Sequence, residues 1–96
     1  MNISALNQQF GIADTLGFHE AQNGLIVADI DNPLATAKIC LQGAHLLSWH
    51  PRSTAAPVVW LSEDAQLSPW KSPHSGAPIC WPWFGAHADN PAYPAH

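Results

Sequence analysis

The sequence predicts an all-β fold, a portion of an antiparallel β-sandwich in which hairpin-spaced strands fill residues 1–68 and an irregular Pro/Trp-rich segment fills residues 69–96. Three observations carry that expectation. Apolar and polar residues alternate with a period of two from Ala35 to Leu41, as on a half-buried strand. Turn-forming groups, Asn23-Gly24 and Asp31-Asn32-Pro33, recur at hairpin spacing. Six of the nine prolines, with three of the five tryptophans, lie from Pro69 onward, where neither helix nor central strand tolerates proline so often.

Taken in order, Phe18 to Gln22 and Leu25 to Ile30 form the arms of a hairpin. Asn23-Gly24 between them supplies the positive φ angles of a two-residue turn. Asp31-Asn32-Pro33 makes the next turn, because proline fixes φ and the short polar side chains bond locally. Ala35, Ala37, Ile39 and Leu41 then face one way, and Thr36, Lys38 and Cys40 the other. Gly43 marks a bulge or bend, after which His45, Leu47 and Trp49 share a face. Pro51 to Pro57 reads as a turn-rich loop and Val58 to Leu61 as a short apolar strand. Ser62 is placed to cap one helical turn over Glu63-Asp64-Ala65, with both acids near the positive end of its dipole.

Composition narrows the function. Only 10% of the 96 residues are charged, against roughly 25% in typical domains. A small independent domain has much surface to solvate, so we read the shortfall as surface that packs against something else. Lys38, Arg52 and Lys71 are the only fixed cations and the net charge is −4. Nucleic-acid binding and attachment to an anionic membrane are therefore not expected, since both need clustered basic side chains. The opening MNISALNQQF has neither the basic nor the apolar part of a secretion signal. No apolar run approaches the ~18 residues of a membrane span. Cys40 and Cys80, in no CxxC pair, read as free thiols of a cytoplasmic protein.

Six histidines raise the question of a metal, but there is no HxH, HxxH or HExxH spacing, and His45 and His50 would face opposite sides of a regular strand. We expect no metal site. The serines have no G-x-S-x-G elbow, and Glu63-Asp64 reads as a solvated helix start rather than a catalytic pair. Trp81-Pro82-Trp83-Phe84-Gly85 is more informative. Its aromatic rings would suit stacking on a sugar, although the same rings could fill a sandwich core. Proline between the two tryptophans stiffens the loop and presents both indoles from a fixed backbone, which favours binding.

Three ordered segments, LQGAHLLSWHP (Leu41 to Pro51), WLSEDAQL (Trp60 to Leu67) and GAPICWPWFG (Gly76 to Gly85), resemble the hexose-6-phosphate mutarotases. These are the glucose-6-phosphate 1-epimerase branch of the aldose 1-epimerase superfamily. Pro94-Ala95-His96 looks like the opening of that family's P-x-H-G-[FL]-A-R motif. The resemblance covers most of Leu25 to His96. It implies the N-terminal part of a galactose mutarotase-like β-sandwich, with the remainder of the domain outside these 96 residues.

The chemistry implied is interconversion of the α and β anomers of glucose 6-phosphate. A base takes the C1 hydroxyl proton, an acid protonates the ring oxygen, the ring opens, C1 rotates and the ring closes. No metal or organic cofactor is implied. The family's acid and base lie beyond the equivalent of His96, so no catalytic residue is assigned here, and whether this chain alone is an enzyme stays open. Two substrate-binding positions carry over. His96 aligns with the histidine beside the sugar, and His74 stands where the family's IRGG motif usually has arginine. A histidine is mostly neutral at pH 7 and offers fewer donors than an arginine fork, which weakens phosphate recognition. Lys71 could replace that charge in part, though a solvated loop lysine is the plainer reading. The alternative is a non-catalytic carbohydrate- or partner-binding β module. Exposed strand edges would also favour self-association.

Overall fold

Asn2 caps a helix, α1 (Ile3–Phe10), its side-chain oxygen accepting from the Ala5 N–H at 3.2 Å. The computed structural model describes residues 2–62, 65, 67–69, 73, 75–80, 89–90 and 92. Nothing in the strand reading anticipated α1, yet Ile3, Leu6 and Phe10 recur at helical spacing behind a capping asparagine. None of its residues is buried.

Four strands follow as an antiparallel meander in the order β1-β2-β3-β4: β1 (Leu16–Glu20), β2 (Ile26–Asp31), β3 (Ala35–Cys40) and β4 (His45–Pro51). The all-β expectation holds for the sheet. At the first turn Asn23 and Gly24 both adopt positive φ, 59° and 78°, as expected. The loop is three residues rather than two, because Ala21 still pairs with Leu25 at 2.7 Å. At the second turn the Asn32 side chain accepts from the N–H groups of Leu34 and Ala35, both at 2.9 Å.

The register sorts the side chains. His19, Val27, Cys40 and His45 lie across one face, and Phe18, Ala28, Ile39 and Leu46 across the other. The buried cluster sits on the first face: Val27 and Cys40 are each 1% exposed and are joined by Leu25, Leu47 and Leu67. Cys40 is thus a packing residue. The second face is nearly all apolar, adding Leu16, Ile30, Ala37 and Trp49, and is only half-covered apart from Ala28. The sandwich is therefore only partly present.

One alternation fails. Ile39 pairs with Leu46 but Lys38 pairs with Ser48, so Leu47 is an extra residue, a bulge in β4. His45 and Leu47 are buried while Trp49 turns to the opposite face and is 40% exposed. The bend expected at Gly43 is a 3-10 turn, Gln42–Ala44, and the bulge lies four residues later. The same slip brings His45 and His50 to one face rather than to opposite ones, about 13 Å apart at ~3.3 Å per residue.

Residues 58–61 do not form the expected strand. Val59 makes a single bridge to Trp49, with Val58 50% and Trp60 63% exposed. Pro57 has no N–H to extend the pairing. Ala65 N–H does close a turn onto the Ser62 carbonyl at 3.0 Å, while Glu63 and Asp64 lie outside the described residues.

Candidate functional site

His74, His96, Lys71, the Trp81 to Gly85 run and the Pro94 to His96 motif lie outside the described residues. The structure therefore neither brings the two expected sugar contacts together nor separates them. What it does show is how the backbone flanking His74 is held.

Three polar side chains from the turns and from β4 hold this stretch. Asn23 Nδ2 donates to the Leu67 carbonyl at 2.5 Å, and Gln42 Nε2 donates to the Ser68 carbonyl at 3.1 Å. These two bonds seat Leu67, 4% exposed, over Val27 and Cys40. Seven residues beyond Ser68, His45 Nε2 donates to the Ser75 carbonyl at 2.5 Å. A carbonyl only accepts, so the proton is on Nε2. The His45 ring is 5% exposed, and in such a place an unpaired nitrogen would be costly.

Ser75 is the junction. Its Oγ accepts from the Ser62 N–H at 2.7 Å and donates to the Trp60 carbonyl at 3.4 Å. Leu46 and Ala77 then exchange both main-chain bonds, at 3.1 and 2.8 Å, so the chain just past His74 pairs with the outer edge of β4. Between them Gly76, at φ 72°, packs directly on the Leu46 carbonyl. Beyond it Ile79 is 57% exposed and Cys80 is a partly covered free thiol.

The charge distribution bears on what this region could bind. Lys38 donates to Asp29 Oδ1 at 2.8 Å, His19 bonds the other oxygen of the same carboxylate, and Arg52 pairs with Asp31. Burial pushes the Asp29 carboxyl up, but the bonds from Lys38 and His19 outweigh it and hold the group below the usual aspartate value. Both fixed cations among the described residues are thus already paired with carboxylates. A hollow of about 290 Å³ between Thr36, His50, Arg52 and Thr54 lies away from the Ser75 junction. Its Arg52 and His50 donors are engaged by Asp31, Asn32 and Thr54. No group of three or more His, Cys, Asp or Glu side chains converges as a metal site among the described residues.

His45, Asn23 and Gln42 had no assigned part in binding in the sequence. Asn23 read only as a turn residue and His45 only as a strand residue that could not share a face with His50. Only the fold, which brings residues 67–68 and 75 against the turns and β4, reveals their work.

No protein-family profile matches the chain. Curated relatives do. A protein of Escherichia coli with the provisional name glucose-6-phosphate 1-epimerase is 43% identical over 67 residues, 70% of this chain and 22% of its own length. A Salmonella typhimurium protein of the same provisional name matches to the same extent. Among solved structures, a Salmonella typhimurium protein described as a candidate mutarotase superposes with a TM-score of 0.74 at 36% identity, over 88% of this chain and 28% of its own. A second, known by a locus designation, gives 0.70 at 36% identity, over 77% of this chain and 27% of its own. The chain spans about a fifth of the length of the curated relatives it matches.

Proposed function

From the homology of this chain to the glucose-6-phosphate 1-epimerases, and from a sheet that superposes on a mutarotase, we propose that these 96 residues are a portion of a hexose-6-phosphate mutarotase-like isomerase. The reaction is interconversion of the α and β anomers of glucose 6-phosphate by paired proton transfers, without a cofactor, in the cytoplasm. His74 and His96 contribute to the sugar site, and the general acid and base come from parts of the domain beyond these residues. The observation that carries this reading is the 43% identity over 67 residues, a span equal to 70% of the chain.

The half-covered apolar face fits this assignment. Leu16, Phe18, Ile30, Ile39, Leu46 and Trp49 have the composition of a layer against which a second sheet packs. A histidine at position 74 in place of arginine, with Lys38 and Arg52 engaged by aspartates, gives weaker phosphate recognition than an arginine fork would.

The test is NMR exchange spectroscopy on glucose 6-phosphate anomers. The isolated chain leaves the exchange rate at the buffer value while its five indole N–H signals report its fold. A chimera in which this chain replaces the matching stretch of the Escherichia coli relative accelerates exchange as that relative does. A folded chimera that is inactive beside an active parent would overturn the assignment.

A second reading, a non-catalytic carbohydrate- or partner-binding module, draws on the exposed rings of Trp49 and Trp60. It predicts a saturable tryptophan fluorescence change with hexoses or a protein partner, in a chain that never accelerates anomer exchange.

A further inference from the structure

The two edges of the sheet are closed in different ways. At β4 the main-chain groups of Leu46 and Trp49 pair with Ala77, Val58 and Val59, which are backbone neighbours. At β1 half of the closure is made by one side chain. Asn7 Oδ1 accepts from the Phe18 N–H at 2.8 Å and Asn7 Nδ2 donates to the Phe18 carbonyl at 3.0 Å. A carboxamide with one acceptor and one donor thus occupies the position of a neighbouring strand's peptide group. One step along, Ile12 N–H bonds the Leu16 carbonyl and Leu16 N–H the Ile12 carbonyl, both at 2.9 Å. Residues 7–12 thereby satisfy the outward main-chain groups of both Leu16 and Phe18.

That cover is lightly held. α1 is eight residues long, has no buried residue, and has neither an acid in its first turn nor a base in its last. Isolated helices this short are marginal in water. Phe10 at its end and Ile12 just beyond it are 53% and 56% exposed. Asparagine inside a helix is a poor helix former, so its presence at position 7 is accounted for by its bonds to β1.

We propose that α1 is a removable edge plug, and that Asn7 keeps β1 from adding to β1 of a second copy of this chain. The occupant follows from the edge itself. Phe18 presents both its N–H and its carbonyl outward, as a hydrogen-bonded antiparallel pair requires. Pairing symmetric about Phe18 sets Phe18 opposite Phe18, Gly17 opposite His19 and Leu16 opposite Glu20, so no like charges oppose. It would also join the apolar row that begins at Phe18 to its symmetric counterpart, making one continuous row across two copies. This inference is independent of any sugar chemistry.

Asn7→Ala in the full chain tests it, with sedimentation equilibrium for mass and amide hydrogen exchange for the edge. The wild type is expected to be monomeric at 10.4 kDa with a protected Phe18 amide. The variant is expected to double its mass in the same concentration range and to show Phe18-to-Phe18 contacts in mixed-label NMR. Asn7→Asp, which keeps an acceptor for the Phe18 N–H but sets a carboxylate against its carbonyl, is expected to open the edge as well. Protection of β2 and β3 amides verifies that either variant is folded. A folded variant that stays monomeric, a dimer lacking the Phe18 contact, or a wild type already paired through β1 would each overturn the proposal.

Discussion

Gly76 rests on the carbonyl oxygen of Leu46 with no room for a β-carbon between them, at a left-handed φ of 72°. Two demands therefore coincide at the residue that carries the chain from Ser75 into its pairing with β4. A β-carbon in the left-handed region costs roughly 1–2 kcal/mol before any clash is counted. Because the nearest obstacle is backbone, it cannot swing aside. Gly76→Ala is expected to detach residues 75–77 from the edge, with loss of protection at the Leu46 and Ala77 amides. The β2 and β3 amides should keep theirs, since those strands are held by their own ladder pairing. Unchanged exchange at Ala77 would show that the close approach is not what holds the segment.

His45 acts on the same segment from below. Removing its ring leaves the Ser75 carbonyl without its donor and opens space beside Cys40, the residue opposite in register. Leaving a buried polar group unpaired costs about 1–3 kcal/mol, and His45→Ala adds a packing loss to that. His45→Gln retains a side-chain N–H donor and should recover part of the difference. Urea unfolding followed by circular dichroism checks the order wild type, Gln, Ala. Equal stability of the Ala and Gln variants would show that shape rather than the hydrogen bond matters here.

The strands were legible because their signals are local. The Asn23-Gly24 turn, the Asn32-Pro33 turn and the alternation in β3 are properties of neighbouring residues, and each reappears in the fold. The Leu47 bulge was not legible, since a strand of HLLSWHP alternates as well with an extra residue as without one. It is fixed by pairing with β3, a tertiary constraint. Helix α1 left faint traces in the Asn2 cap and the Ile3, Leu6, Phe10 spacing, but eight residues give little periodicity to read. The similarity to proteins provisionally named glucose-6-phosphate 1-epimerase was legible from ordered motifs, whereas the hold of His45 on Ser75 spans thirty residues and belongs to the fold alone.

Asp29 makes the acid side of the stability curve testable. Its carboxyl titrates lower in the folded chain than in the unfolded one, because the bonds from Lys38 and His19 outweigh its burial. Its contribution is therefore complete above the ordinary aspartate value of 3.8 and is lost as pH falls through the lower folded value. Asp29→Asn should flatten the stability profile below about pH 4 and lower stability at neutral pH. The effect is small, since these side chains are 37–56% exposed and solvent screens them. Thermal unfolding of both chains between pH 3 and 7 measures it, and parallel profiles would rule Asp29 out as a contributor.

The last prediction concerns which face of the sheet carries stability in the isolated chain. Leu47 is 3% exposed among Val27, Cys40 and Leu67, while Trp49, two residues along the same strand, is 40% exposed on the other face. Truncating a buried leucine costs about 2–5 kcal/mol, a large share of the ~5–15 kcal/mol that a folded domain possesses. Leu47→Ala should accordingly bring the chain close to unfolding. Trp49→Ser keeps its main-chain bonds to Val58 and Val59 and gives up contacts that are already partly wet, so it should cost well under half as much. In the chimera with the Escherichia coli relative the ranking should narrow, because a second layer over Leu46 and Trp49 would turn an exposed ring into a buried one. Denaturant midpoints for the parent and both variants, in the isolated chain and in the chimera, give the comparison. A Trp49 cost that is as large in the isolated chain as in the chimera would mean that the apolar face is already covered without the rest of the domain.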